Sequence, residues 1–186
     1  MITPKLETER LVLREIHADD GSAIFRCWMQ DESVSRYMWW QASNDFQETQ
    51  KFVEYEMANL GNDKWNRWII LLKGTNEMIG TCLLYDNEAE RHWDISYNLG
   101  RKYQGNGYAT EAMRAVLTFA FQEKKIQEIA TSYAGENKKS GNVLRKLGFQ
   151  EIKEVPYECS GGKLITTGKY CVLKVRGCHE ATIEKY

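Results

Sequence analysis

The stretch that most restricts what this chain can fold into runs from Trp65 to Leu99. Three apolar segments, WNRWIILLK, MIGTCLLYD and HWDISYNLG, are separated only by GTNE and NEAER. Strand-sized segments joined by such short links fold back on one another in antiparallel order, so a meander is predicted in the middle of the chain. In the third segment the period of two puts Asp94, Ser96 and Asn98 on one face and Trp93, Ile95 and Tyr97 on the other. The polar face is expected to look into a cleft.

Around this meander the pattern changes. Leu6 to Ile16 alternates and reads as a first strand. Asp19 and Asp20 suit a helix start before Ala23, Ile24, Cys27 and Trp28, and RYMWW follows as a connection. A second helix is expected from about Asn44, with Phe46, Phe52, Val53 and Met57 on one face and acidic residues on others. After the meander, Ala109, Ala112, Met113, Val116 and Ala120 form one helical stripe within 108–121, and the strand EIATSYA comes next. A shorter helix is read over 137–147, ending at Gly148, and two last strands over 151–157 and 169–175 flank a flexible CSGGKLITTG. The expected class is α/β of the α+β kind: a mixed, mostly antiparallel sheet of about seven strands flanked by about four helices.

With 186 residues, no internal repeat and two prolines, one domain is expected over 1–186, its core at 6–175 and its tail at 176–186 unplaced. A net charge of -1 supplies no basic field for nucleic acid or an anionic membrane. The five cysteines, an odd number without CxxC spacing, fit neither a disulfide framework nor a zinc site, so no metal and a reducing cytoplasm are expected. MITPKLETER lacks an apolar core, and no apolar run approaches the ~18 residues of a membrane span. Monomer and homodimer both fit this composition.

YNLGRKYQGNGYATEA leads from the last meander strand directly into a helix. The first amides of a helix have no partners within it, and no carboxylate at this start is expected to quiet them. Glycines at 105 and 107 can take positive φ and carry no side chain, which allows a concave nest of N–H groups and close approach by a phosphate. No Lys-Ser/Thr pair follows, which removes the P-loop way of holding a nucleoside triphosphate. The glycines by themselves equally fit a turn that only admits the strand to its helix.

Two motifs sharpen the reading. Gln104-Gly105-Asn106-Gly107-Tyr108-Ala109, continued by Thr110-Glu111-Ala112, is similar to the Q/R-x-x-G-x-G/A acyl-CoA motif of the GNAT N-acetyltransferase superfamily. ENKKSGNVLRKLGFQE resembles that family's later Asn-containing helix and its KLGF exit, and LETERLVLREIHADD resembles the start of the RimJ/RimL-type branch, which acetylates protein N-termini. The likeness covers residues 6–175. It implies a GNAT fold with a splayed V between the fourth and fifth strands, WDISYNL and EIATSYA. It also implies acetyl-CoA as cosubstrate, with its pyrophosphate on Gln104, Gly105, Asn106, Gly107, Tyr108 and Ala109. The pantetheine arm would run along Tyr97, Asn98 and Leu99, with an irregularity at Asn98 and Leu99, and Asn137 would contact CoA. Lys102, Lys138, Lys139 and Arg145 are candidates to assist the nucleotide phosphates.

Acetyl transfer needs a neutral amine, and an α-amine with a pKa of about 8 needs less help than a lysine at about 10.4. The resemblance puts Asp94 where related enzymes carry a strand Glu acting as base through water, with His92 as a neighbouring alternative. The departing thiolate needs modest assistance. Leu144 stands where the family usually has a tyrosine, so Ser140 is the candidate to hydrogen bond the sulfur, with Tyr133 behind it; Asn137 and Ser140 also suit a helix start. A backbone N–H near Leu99 can polarise the carbonyl. No cysteine has a paired His, so direct transfer in a ternary complex is expected. Trp39, Trp40 and Tyr157 are candidates to stack on an acceptor.

The reading is thus an acetyl-CoA-dependent N-acetyltransferase, with a peptide N-terminus favoured as acceptor by the branch, and aminoglycosides, polyamines and amino metabolites still open. A catalytically silent acyl-CoA-binding sensor is the second reading, supported by Leu144. A nucleotide-binding regulatory protein is the third.

Overall fold

In the computed structural model, which describes residues 3–175, one eight-stranded sheet carries the site. Its strands are β1 (Leu6–Glu7), β2 (Leu11–Arg14), β3 (Trp65–Leu72), β4 (Met78–Asn87), β5 (His92–Leu99), β6 (Glu128–Ala134), β7 (Gln150–Cys159) and β8 (Leu164–Lys174). The helices are α1 (Gly21–Ile24), α2 (Glu32–Ser35), α3 (Phe46–Ala58), α4 (Tyr108–Thr118) and α5 (Lys138–Lys146). A 3-10 turn, Ala18–Asp20, leads into α1, and π turns at Phe25–Met29 and Phe119–Glu123 extend α1 and α4. The sheet order is β1-β2-β3-β4-β5-β6-β8-β7, antiparallel throughout except for β5 beside β6.

The meander forms as the short links require: β3, β4 and β5 pair in sequence, with Tyr85 opposite Asp94 and Thr81 opposite Asn98. β3 is buried on both faces, as central strands under two helical layers are. One face packs α4: Ala112, Met113 and Val116 are fully buried against Leu13, Trp68, Ile70 and Leu84. Burial of side chains the size of Met113 or Val116 stabilises by about 1.5–3 kcal/mol each, which is what holds an isolated eleven-residue helix in place. The other face packs α1 and α3 through Ile24, Trp28, Val53 and Ile69.

The sheet expected with about seven strands forms with eight, because the first one breaks: Thr8 Oγ1 accepts from Leu11 N at 3.0 Å, turning the chain between β1 and β2. Among the described residues there are five α-helices for the about four expected, because Asp31 caps the short α2 through Ser33 N. Other expectations are corrected. On α3 the inward residues are Thr49, Val53 and Glu56, so an acidic residue faces the core. CSGGKLITTG is mostly strand: β7 and β8 pair up to Cys159 opposite Leu164, leaving only 160–163 as the turn. The expected irregularity at Asn98 and Leu99 is absent on the β4 side, where pairing runs unbroken from Asn87–His92 to Gly80–Leu99. Gly80 makes that possible, since a Cβ there would lie 2.2 Å from the Asn98 carbonyl oxygen. The tail at 176–186 lies outside the described residues.

Candidate functional site

β5 and β6 meet as parallel strands at Trp93 and Ile129, and that is their one registered pair. Thr131 Oγ1 then donates to the Ile95 carbonyl at 3.2 Å, and beyond it the strands diverge. This is the V between the fourth and fifth expected strands, and it frees backbone groups of β5 on its β6 side, the side away from β4. The V lies within a cavity of about 980 Å³ lined by both strands, by the start of α4 and by the start of α5.

At one end of this cavity the chain leaves β5 through a 3-10 turn, Arg101–Tyr103, and enters α4. Gly105 and Gly107 have φ of 85° and 81°, and no side chain caps the helix start. The left-handed region that favours glycine is thus occupied at alternate positions, the geometry of an N–H nest. A carboxylate does stand in the first turn, contrary to expectation: Glu111. It is turned away from the nest, accepting from Thr8 Oγ1 at 2.6 Å and from Arg10 Nε at 2.7 Å. Burial alone would raise the Glu111 pKa, but those two partners outweigh it and hold the group below its ordinary value. Glu111 is therefore a fixed anion tied to the β1–β2 turn. Arg10 Nη1 also donates to the Asn106 carbonyl at 3.1 Å, so the strand end braces the glycine loop.

Asn106, expected within the acyl-CoA motif, does not line the cavity, and neither do His92 and Trp40. Asn106 Nδ2 donates to the Tyr103 carbonyl at 3.2 Å, so it shapes the loop from within. Tyr97, Asn98, Leu99, Gln104, Gly105, Gly107, Tyr108, Ala109, Asn137, Asp94 and Ser140 all line it. Of the four candidate cations, Lys138 and Lys139 do, whereas Lys102 pairs with Glu77 at 2.8 Å and Arg145 donates to Asn142 at 2.8 Å.

α5 starts as its sequence demands: Asn137 Oδ1 accepts from Ser140 N at 3.2 Å. Ser140 Oγ does not bond the nearby backbone but lies 3.0 Å from Tyr97 Oη, across the V. Burial, only partly offset by Ser140, keeps the Tyr97 hydroxyl protonated well above its ordinary range. Leu144 is 3% exposed and packs into the core. The other tyrosine candidate, Tyr133, donates to Glu151 at 2.7 Å and is pushed up to about 12, chiefly by burial, which makes it a poor acid.

At the opposite end Asp94 Oδ1 accepts from Ile95 N at 2.6 Å and Oδ2 accepts from Tyr85 Oη at 3.1 Å. His92 Nε2 lies 3.8 Å from the same Oδ2, and that carboxylate raises the His92 pKa. Burial pushes Tyr85 up and Tyr157 up to about 12, so both remain hydroxyl donors. Trp65 packs on Tyr85 with ring centroids 5.4 Å apart, and Tyr157 and Trp39 also line the cavity. Tyr85 was not anticipated; it is legible only once the register of the β4–β5 link is known. Among the described residues the thiols play no visible part: burial raises Cys27 and Cys171 to about 11 and Cys82 to about 12, leaving negligible thiolate near neutrality.

Arg67, on β3, is the residue that sequence reasoning missed outright. It is 8% exposed, and its Nε lies 2.7 Å from Oε1 of Glu56, which is 2% exposed. Glu56 Oε2 accepts from Trp65 Nε1 at 2.8 Å. A charge inside an apolar central strand was the available signal, but its partner lies on a different element.

A model of the acetyltransferase (GNAT) domain matches residues 10–150. The uncharacterized N-acetyltransferase p20 of Bacillus licheniformis is 31% identical over 172 residues, spanning 91% of this chain and 96% of its own. Among solved structures, the ribosomal-protein-S5-alanine acetyltransferase of Vibrio fischeri superposes with a TM-score of 0.77 at 19% identity, over 92% of this chain and 96% of that one. The spermidine N-acetyltransferase of Vibrio cholerae, solved with CoA and spermine, gives 0.73 at 18% identity, over 90% and 96%. Among the described residues no helix is long and apolar enough to cross a membrane.

Proposed function

Because the chain belongs to the GNAT acetyltransferase family, we propose that it moves an acetyl group from acetyl-CoA to a primary amine by direct attack, with a peptide N-terminal α-amine as the acceptor. The observation that carries this reading is the continuity of one cavity from the Gly105–Gly107 nest, through the V, to Asp94. The nest and the start of α4 would receive the diphosphate, with Lys138 and Lys139 nearby. The amide-bearing arm would take up the unpaired edge of β5, as an added strand does. The thioester would then lie between the two strands, open to an amine from the Asp94 side.

In the transfer the amine nitrogen forms a bond to the acetyl carbon, the carbon–sulfur bond breaks, and the amine loses a proton. Asp94 lies on the strand face of Ser96 and Asn98, two and four residues before them, or roughly 7 and 13 Å at strand spacing. A proton reaching it from the level of Asn98 therefore travels through water. The departing sulfur would accept a hydrogen bond from Ser140 Oγ, which Tyr97 Oη orients. Tyr97 is held too basic to surrender its proton to a thiolate outright, so its part is to direct Ser140.

The RimJ/RimL-like start of the chain and the fold shared with an S5-alanine acetyltransferase favour a peptide acceptor. A small polyamine is the second reading: Trp39, Trp65, Tyr85 and Tyr157, which line the same cavity as Asp94, suit a cation, and a spermidine acetyltransferase shares the fold. The test is free-CoA release from acetyl-CoA against a panel of peptide N-termini, polyamines and small amino compounds. Turnover of peptides ahead of polyamines is expected. Tight CoA binding without turnover of any amine would make the chain a silent acyl-CoA-binding sensor and overturn the proposal.

A further inference from the structure

A second cavity, of about 490 Å³, adjoins the first along Ser96 and Asn98. Met38, Trp39, Ser96 and Asn98 line both, so a group projecting from an acceptor in the main cleft passes into it beside Asn98. Arg67 and Thr81 form part of its wall, and Phe52 and Trp40 supply apolar surface. The Asn98 Nδ2 atom is buried and has no hydrogen-bond partner among the described residues. Arg67 is close to Glu56, but its Nε–H is poorly aligned with the carboxylate and is left without a well-formed hydrogen bond. Its Nη1 reaches only Thr81 Oγ1, at a long 3.4 Å.

The cavity therefore offers hydrogen-bond donors without matching acceptors. Its charges are already balanced, Arg67 by Glu56 and Lys51 by Glu48, each pair at 2.7 Å. A buried donor left unsatisfied is costly, and the group that removes the cost is an oxygen with free lone pairs. A second ammonium would add like charge beside Arg67. A full carboxylate would find the guanidinium already paired. A neutral carbonyl oxygen meets neither objection.

We propose that this cavity is an acceptor subsite for the carbonyl oxygen next to the reacting amine. It selects α-amines that carry a carboxamide, as a peptide N-terminus does, over polyamines. Asn98 Nδ2 donates to that oxygen, and Arg67 sets the polarity of the pocket that receives it. This deepens the N-acetyltransfer reading and rests on it for the direction of transfer, though not for recognition of the acceptor.

Four amines that share a CH3–CH(NH2)– head test it: alaninamide, alanine, sec-butylamine and 1,2-diaminopropane. Their kcat/KM values are compared per neutral amine at saturating acetyl-CoA. Alaninamide is expected to exceed sec-butylamine by about tenfold, the worth of one hydrogen bond to a buried donor, with 1,2-diaminopropane the poorest. Asn98→Ala should remove most of that preference, and Asn98→Asp, which replaces the donor by an anion, should move it toward 1,2-diaminopropane. Equal use of the four by the wild type, or an equal loss on all four in Asn98→Ala, overturns the subsite. If no amine is turned over, the transfer reading falls and binding decides the subsite. Calorimetry of an Ala-initiated tripeptide in the presence of CoA should then show about tenfold weaker binding by Asn98→Ala, and equal or absent binding in both proteins overturns it.

Discussion

Replacing single glycines by alanine separates backbone strain from ligand contact. Gly105, Gly107 and Gly74 have φ of 85°, 81° and 86°. Gly105 and Gly107 form the proposed nest, whereas Gly74 lies in the exposed β3–β4 turn and does not line the cavity. A Cβ at Gly105 or Gly74 would meet no atom within 4 Å, and one at Gly107 only Arg10 Nη2 at an ordinary 3.5 Å. The folded-state cost of each substitution is thus the left-handed backbone alone, about 1–2 kcal/mol. For a domain of this size each kcal/mol lowers Tm by about 2–4 °C, so all three variants should melt lower by a similar few degrees. CoA affinity should split them. Disturbing one amide that donates to a phosphate forfeits about 1.5–3 kcal/mol, or roughly tenfold to a hundredfold in Kd. Titration calorimetry should show that loss in Gly105→Ala and Gly107→Ala, while Gly74→Ala stays within about twofold of the wild type. Equal CoA affinity in all three variants would refute the nest.

Three more perturbations bear on the site and its support. Asp94→Asn should lower kcat by about a hundredfold or more near pH 7, with the deficit shrinking as the acceptor amine deprotonates unaided above about pH 8; a kcat within twofold at pH 7 removes Asp94 as base. Asp94 raises the His92 pKa above its ordinary 6.5, so the stability this pair adds is full below that value and fades as pH rises through the raised one. Tm of His92→Gln should therefore fall further below the wild type at pH 5.5 than at pH 8.5, and a gap that widens with pH contradicts the pairing. Arg67→Met strands Glu56 in the core and should cost about 3–5 kcal/mol in urea melts, more than half of it recovered by adding Glu56→Met; no recovery means the two charges are not coupled.

Features that answer to local rules were legible in the sequence. The meander followed from link lengths, the α5 cap from Asn137, and the left-handed backbone at 105 and 107 from the glycines themselves. What escaped depends on residues far apart in the chain. Glu56 could not be read as inward-facing, because its reason for turning in is Arg67 on another element. Asn106 sits inside the motif as a site candidate, yet Arg10, close to a hundred residues earlier, braces its carbonyl while its side chain closes the loop. The Thr- and Gly-rich stretch before Lys169 looked like a loop because β8 gains its pairing from β6 and β7 rather than from its own composition.

The position of β8 between β6 and β7 bears on how the molecule is made in a cell. β6 forms one wall of the V, yet its antiparallel neighbour is synthesised after every residue proposed for the chemistry. A growing chain that has reached Lys163 holds every residue proposed for the chemistry while β6 still exposes a bare hydrogen-bonding rim, the kind of surface on which nascent chains stick together. Late frameshifts or nonsense codons that spare all of those residues should consequently yield aggregates instead of a shortened enzyme.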